Sequence, residues 1–463
     1  MTSMTSRLVR TESPLVWLLA ALVIGALVRF APVIGADFPA GDGGLFATMI
    51  EDIRRASFAL PAFTTYNGGD IPFAYPPLGL YLGAVMPADP LTTLQWLPPL
   101  LATACIVPIY FAAARSVSVA AGIAAAAFYA LAPFGWFWLV QGGGLTRALA
   151  MLLGLTALVL ALRGRSVLVG IAGGLTALTH PETAIFAAVS CAVVFAVARA
   201  WKSLLLAAAV SMLVVLPWFV LVLSRHGIDP FFAAAGARGV NPLAAVLSIS
   251  SGRPGMLDIA AAIGLVGIAA SRVRWLYAAT LGTALLLTTS IATHLAPLAA
   301  IGVGATVGGA RIPRPVVGTI LVLLLIGSGV TIGNPVQLGT DDRAAMDWIR
   351  AETPADARFV VLSDETWSRS DEAEWFPYLA DRVSVTTMQG REWLPDWRVL
   401  NDERERLAGC EDRSCIDAWL EQHDTGYVYL ADDCCPRIAQ FLETDLIRLG
   451  SATIYRRSEA PSR

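Results

Sequence analysis

The chain has 463 residues, 56% of them hydrophobic and 15% charged, against about 25% charged in an ordinary soluble domain, which excludes a uniformly water-soluble protein. Residues 1–333 hold 18 of the 33 basic and 10 of the 36 acidic side chains, a balance of +8, and residues 334–463 hold the other 15 and 26, a balance of −11. The split reads as a membrane domain, 1–333, followed by a water-soluble domain, 334–463, and the acidic tail excludes a nucleic-acid role.

Membrane helices need apolar runs of roughly 17–25 residues. Eleven runs of this character occur in chain order, near 14–34, 94–114, 117–139, 146–162, 166–179, 181–198, 203–223, 257–270, 275–291, 294–310 and 315–333. Several are short or carry Gly and Pro, which buried membrane helices tolerate when neighbours satisfy the freed backbone. Basic residues fall in every second connection: Arg7 and Arg10 before the first run, then Arg115, Arg163 with Arg165, Arg199 with Lys202, Arg272 with Arg274, and Arg311 with Arg314. Such loops belong on the cytoplasmic side. The N-terminus is therefore expected inside and the tail outside. The first run lacks a small-residue cleavage site and is read as a retained helix.

The opposite connections are longer and carry the unusual groups. Residues 35–93 form the longest, with Asp42 in Gly41-Asp42-Gly43-Gly44 ahead of an amphipathic stretch, Leu45 to Arg55. Leu45, Met49 and Ile53 repeat at four-residue spacing, the pattern of a helix lying along a membrane surface. Tyr75-Pro76-Pro77-Leu78 opens a second short apolar stretch. The glycines leave Asp42 open to close approach by a ligand; a cap for the following helix is the competing role.

This arrangement resembles the C-fold (GT-C) glycosyltransferases, in particular the branch of protein O-mannosyltransferases and lipid A aminoarabinose transferases. The resemblance covers the arrangement of roughly the first 220 residues. Asp42 matches the acidic position of the first outer loop, and Tyr75 to Leu78 match the Pro-rich segment. It implies a polytopic enzyme of a prokaryotic plasma membrane that takes a sugar from a polyprenyl-phosphate carrier and transfers it on the outer face. The chain departs from the pattern in two places. Gly43 follows Asp42 where many relatives have a second acid, and the second outer loop, Gln141-Gly142-Gly143-Gly144-Leu145-Thr146-Arg147, has no carboxylate.

Other residues supply candidates for the second group. Charged side chains at membrane depth are expensive and functional by default, which singles out Thr179-His180-Pro181-Glu182: His180 and Glu182 suit a metal such as Mg or Mn, or a phosphate and its proton. Glu182 also suits a helix N-terminus in a purely structural role. Arg147 can pair with phosphate oxygens bidentately, with the three glycines before it offering backbone amides, or can be an interfacial anchor. Arg225, His226, Arg238 and His294 are further outer-side groups, with Arg238 taken as a donor-phosphate ligand.

In the tail, helical signals at 342–352, 402–408, 414–422 and 434–443 alternate with strand signals at 358–362, 426–430 and 452–455, the pattern of a small α/β domain. Glu374-Trp375-Phe376-Pro377 and Glu392-Trp393 are places where rings could stack on sugars, pack the domain or dock it on the membrane. Cys105 and Cys191 lie in apolar runs and read as packing residues. Cys410, Cys415, Cys434 and Cys435 read as disulfide candidates in an oxidising compartment; their pairing is open, and a zinc site is the competing reading, without any Cys-x-x-Cys.

The expected fold is thus an α-helical polytopic membrane domain of about eleven transmembrane helices, with interfacial helices in the first outer loop, followed by a small extracytoplasmic α/β domain. The expected activity is inverting transfer from a polyprenyl-phosphate-linked sugar to a lipid, glycan or protein hydroxyl. Asp42 would be general base, and Arg147, His180 and possible metal ligand Glu182 would stabilise the leaving phosphate. A transporter or lipid flippase is the rival class; internal repeats or mid-membrane charges would mark it, and no clear repeat is seen.

Overall fold

The computed structural model describes residues 13–237, 256–287, 291–309, 314–332, 337–364, 370–431, 434–442 and 446–456. Arg7, Arg10, Arg238, Arg311 and Trp367 lie outside the described residues.

All eleven apolar runs coincide with helices. These are α1 (Pro14–Phe30), α4 (Pro90–Ala104) with α5 (Ile106–Ser116), α6 (Val119–Leu131), α7 (Gly144–Leu162), α8 (Ser166–Ala177), α9 (Pro181–Val197), α10 (Trp201–His226), α12 (Met256–Ala270), α13 (Arg274–Leu286), α14 (Ile291–Gly309) and α15 (Arg314–Ile332). The loop between α1 and α4, the first loop, contributes α2 (Gly44–Arg55) and α3 (Leu78–Val85), and α11 (Asp229–Ala237) follows α10. Among the described residues, three are able to cross a membrane by length and composition: the α4–α5 pair, α7 and α10. A fourth is added if α6 and the 3₁₀ turns that follow it count as one bent span.

Prolines set the interruptions. Pro108 has no N–H to give to the Ala104 carbonyl, so α4 stops there and α5 begins. The expected run 117–139 is not one straight helix. Pro133 disfavours helical backbone at Ala132, and the chain bends by 89° into the 3₁₀ turns at 133–139. Arg29, buried near the end of α1, donates to the Tyr129 and Ala130 carbonyls, each at 2.9 Å. Those carbonyls belong to the last turn of α6, where a cation is favoured.

The tail holds α16 (Thr340–Glu352), β1 (Arg358–Leu362), α17 (Asp371–Leu379), β2 (Val383–Ser384), α18 (Trp397–Ala408), α19 (Arg413–Gln422), β3 (Tyr427–Leu430), α20 (Pro436–Phe441), β4 (Leu446–Leu449) and β5 (Ala452–Arg456). The sheet runs β2-β1-β3-β5-β4. β1 pairs in parallel with β2 and β3, while β5 is antiparallel to β3 and β4. Strand alternation splits β1 between two cores. Phe359 and Val361 join Met346, Ile349, Phe376 and Ile454, while Val360 and Leu362 join Leu407, Ile416, Leu420 and Ile438. Cys410 and Cys415 form a disulfide, and Cys434 and Cys435 are free.

The first of these cores is shared with the first loop. Phe38, Leu45, Met49, Ile50 and Ile53 pack in the same cluster as Met346, Trp375 and Phe376. The apolar stripe of α2, expected against lipid, is therefore covered by protein: Leu45 is 7% exposed, and Met49 and Ile53 are 1% or less. The tail is tied to the loop further by an Ala40–Gln337 bridge and an Arg343–Asp37 ion pair at 3.0 Å.

Candidate active site

Asp42 enters the site through a turn made of glycines. Gly41 sits at φ +64°, the left-handed region that favours glycine, and Asp42 then precedes Gly43, the N-cap of α2. No side chain of the N-cap bonds the helix. Asp42 does not cap α2 either; its carboxylate points to Arg147. The Arg147 Nη2 lies 2.5 Å from Asp42 Oδ2 and Nη1 lies 3.4 Å from Oδ1, a two-pronged contact. The pair is partly open, with Asp42 27% and Arg147 11% exposed at the side chain. Arg147 is fixed from its other sides by the Trp138 carbonyl at 3.3 Å and by the Trp138 ring, 4.1 Å from the guanidinium carbon.

Arg147 stands in the first turn of α7 because the second loop folds onto the first. The Gly142 amide donates to the Ala40 carbonyl at 2.7 Å and the Gly143 amide to the Asp42 carbonyl at 2.6 Å. A Cβ on Gly142 would lie 2.5 Å from the Asp42 carbonyl oxygen, and one on Gly143 would lie 2.7 Å from Asp42 Oδ2. The glycine run thus serves close packing of the two loops, and the amides of Gly142 and Gly143 are committed to that packing. The Tyr75–Leu78 segment braces the same turn: the Tyr75 hydroxyl is 3.0 Å from Thr146 Oγ1, and a Cβ on Gly79 would meet Thr146 at 2.9 Å.

His180 reaches the site through the α8–α9 turn, which the first loop holds by a Leu78 amide to Leu178 carbonyl bond at 2.8 Å. His180 caps α9, its Nδ1 3.4 Å from the Thr183 amide. Thr183 Oγ1 then lies 3.0 Å from His294 Nε2. Arg147, His180, Thr183 and His294 line one small pocket with Trp138 and Met151. Asp42, Arg147 and His180 are thereby brought into one neighbourhood, and His294 joins them from α14. Glu182 is buried in the first turn of α9 and does not line that pocket. Arg238 lies outside the described residues. Arg225 donates to the Leu60 and Pro61 carbonyls, and His226 packs edge-on against Phe63, so both brace the first loop.

Glu374 and Trp375 occupy a place that sequence reasoning did not assign. Glu374 Oε2 accepts from the Gly43 and Gly44 amides at 2.7 and 2.8 Å, and Oε1 accepts from Leu45 at 2.9 Å. The Trp375 indole donates to the Gly41 carbonyl at 2.7 Å. Burial, with Asp42 close by, pushes the Glu374 carboxyl up to about 7. Gly43 and Gly44 admit the tail: a Cβ on either would lie 2.6 Å from Trp375 or Glu374 atoms. Trp375 is fully buried and Trp393 is 8% exposed, packed with Tyr75 and Phe231, so neither ring offers a sugar-stacking face.

The donor set at Asp42 does not fit a metal centre. Its carboxylate is engaged by a cation, and both oxygens of Glu374 are taken by amides. Among the described residues, the one group of three mutually close His, Cys, Asp or Glu ligands is Asp364, Cys434 and Cys435, in the tail.

No protein-family model and no curated protein matches the sequence. Solved structures do match. One is the archaeal oligosaccharyltransferase AglB from Archaeoglobus fulgidus, in complex with an inhibitory peptide and a dolichol-phosphate, at TM-score 0.60 and 15% identity over 96% of this chain and 75% of that one. A second is the Archaeoglobus fulgidus oligosaccharyltransferase in complex with Zn and sulfate, at TM-score 0.60 and 16% identity over 89% and 67%. A third is ArnT from Cupriavidus metallidurans bound to undecaprenyl phosphate, at TM-score 0.59 and 14% identity over 96% and 98%. The fold is the GT-C fold. Those neighbours are GT-C membrane glycosyltransferases, and the match to ArnT spans nearly the whole of both chains, tail included.

Proposed function

We propose that this GT-C chain is a membrane glycosyltransferase that moves a sugar from a polyprenyl-phosphate carrier to an acceptor hydroxyl, on the side of the membrane where the tail lies. The observation that carries the reading is the Asp42–Arg147 pair beside the pocket lined by His180 and His294. The fold supports it, since neighbours of the same fold were solved with dolichol-phosphate and undecaprenyl phosphate. An apolar groove between α7, α8, α9 and α10, lined by Val169, Ala187, Phe195, Ala207 and Met212 among others, suits an isoprenoid chain.

In this reading the acceptor oxygen attacks the anomeric carbon while Asp42 takes its proton. The bond from that carbon to the phosphate oxygen breaks, and the phosphate leaves with the electron pair. A single displacement inverts the anomeric centre. Negative charge therefore passes from Asp42, which becomes neutral, to the phosphate, which gains one charge. Arg147 pairs with Asp42 before the step and is released to the phosphate as Asp42 takes the proton, so one fixed cation serves both ends of the charge shift. His180 and His294 stand beside that pair, lining the same small pocket as Arg147. No step is routed through a metal.

The test is Asp42→Asn in membranes supplied with a labelled polyprenyl-phosphate-linked sugar. Loss of the base lowers transfer by about 10²–10⁴-fold. Transfer at near wild-type rate removes Asp42 from the mechanism.

A further inference from the structure

The first turn of α2 presents amides without intrahelical partners, and an aspartate is among the best side chains to cap them. Asp42, one residue before the N-cap, leaves that task undone and turns to Arg147. The amides of Gly43, Gly44 and Leu45 are capped instead by Glu374, 331, 330 and 329 residues away. Placing a second buried carboxylate near the first is unfavourable in charge. The groups facing Glu374 are Asp42, the three amides and Tyr66, whose hydroxyl donates to the Glu374 carbonyl at 2.6 Å. Trp375 then fixes the other end of the turn through the Gly41 carbonyl. A helix that needed only a cap would be served by Asp42 itself. The arrangement keeps Asp42 free of its own helix while the backbone on both sides of it is held.

We propose that Glu374 and Trp375 are positioning residues of the active site: the tail clamps Gly41 to Leu45 so that the Asp42 carboxylate is held toward Arg147 and the acceptor. This rests on the transferase reading only in taking Asp42 as the base. The clamp has two separable signatures, protection of the 43–45 amides and turnover.

Glu374→Gln and Trp375→Phe test it in the full-length protein. Glu374→Gln keeps the size but replaces one of the two accepting oxygens by an NH2 group that cannot accept, so one oxygen is left for three amides. Trp375→Phe keeps a ring but loses the donor to Gly41. Hydrogen exchange over residues 41–50, read by mass spectrometry, is expected to rise by about tenfold or more in Glu374→Gln as the amides lose their acceptors. In both variants kcat for labelled lipid-linked sugar, counted per folded protein, is expected to fall by about 10- to 100-fold, with donor KM within about twofold and with hydrogen exchange outside residues 41–50 unchanged, which loss of folded protein would not leave. Unchanged exchange in Glu374→Gln overturns the clamp whatever the activity. Raised exchange with wild-type kcat overturns positioning and leaves the transferase reading standing. Active Asp42→Asn overturns that reading, and the exchange arm then decides the clamp alone. If Glu374→Gln unfolds, with exchange rising along the whole chain, Trp375→Phe decides through kcat.

Discussion

Gly143→Ala separates a catalytic role for Asp42 from a structural one. Gly143 sits at φ −63°, ψ −10°, a backbone that alanine adopts freely. Exchanging glycine for alanine at such a position stabilises by about 0.4–1 kcal/mol through the unfolded chain. The added Cβ, however, would stand 2.7 Å from Asp42 Oδ2 and 2.9 Å from Cγ, where ordinary contact begins at 3.4 Å. The carboxylate must therefore retreat by about 0.7 Å, the difference of those two distances. That movement loosens the contact with Arg147 Nη2 at 2.5 Å. Displacement of a reacting group by about 1 Å can lower turnover by about 10²-fold, so a fall of about 10- to 100-fold is expected in transfer of labelled sugar from a lipid-linked donor. The variant should keep wild-type expression and thermal midpoint within a few degrees. Gly329→Ala, whose Cβ would meet nothing within 4 Å, is the control and should transfer normally. A Gly143→Ala protein that folds normally and transfers at the wild-type rate refutes the reasoning, because the position of the Asp42 carboxylate would then not matter.

Further outcomes follow from the same geometry. Arg147→Lys keeps the charge but not the fork that spans both Asp42 oxygens. It should lower kcat by at least about tenfold, and equal turnover in Lys and Arg forms would exclude a two-pronged role. Glu374, raised from 4.5 to about 7, keeps its proton in the folded state over a window where the unfolded chain has lost it. Stability from this group is therefore greatest below pH 4.5 and is lost as pH rises to about 7, by roughly 3 kcal/mol at most. The thermal midpoint of the detergent-purified protein should fall more between pH 5 and 7.5 in the wild type than in Glu374→Gln; equal falls would contradict it. Replacing Cys410 and Cys415 by serine opens a loop of sequence separation 5 and should cost the tail about 2 kcal/mol, read as faster proteolysis of the 397–422 region.

Helix positions were legible in the apolar runs, and β1, β3 and β5 were legible because Phe359 to Leu362, Tyr427 to Leu430 and Ala452 to Tyr455 are short β-rich runs beside turn residues. The bend after α6 was written in Pro133 but was hidden inside one continuous apolar stretch. Asp42 and Arg147 stand out because each is an isolated charge near a glycine run in an apolar region. Glu374 could not stand out in the same way. It sits in an acidic tail where one carboxylate looks like the next, and only the fold shows that it is 2% exposed and bonded to α2. The glycines at 43–44 and 142–144 were visible, yet what they make room for was not: the tail and the neighbouring loop take the space that sequence alone suggested for a ligand. A signal was nevertheless present, since Asp371-Glu372-Ala373-Glu374-Trp375-Phe376 is a helix start whose apolar members fall beside a glutamate.

The long-range cap on α2 also has a consequence for how the protein is made. The turn bearing Asp42 is synthesised early, yet the residue that completes it is separated from Gly43 by 331 positions. All eleven apolar runs lie between or before them in the chain. A nascent chain stalled or cut before residue 374 would insert its hydrophobic helices with the turn that bears Asp42 unfinished, so that turn would be completed only when the tail has emerged and docked.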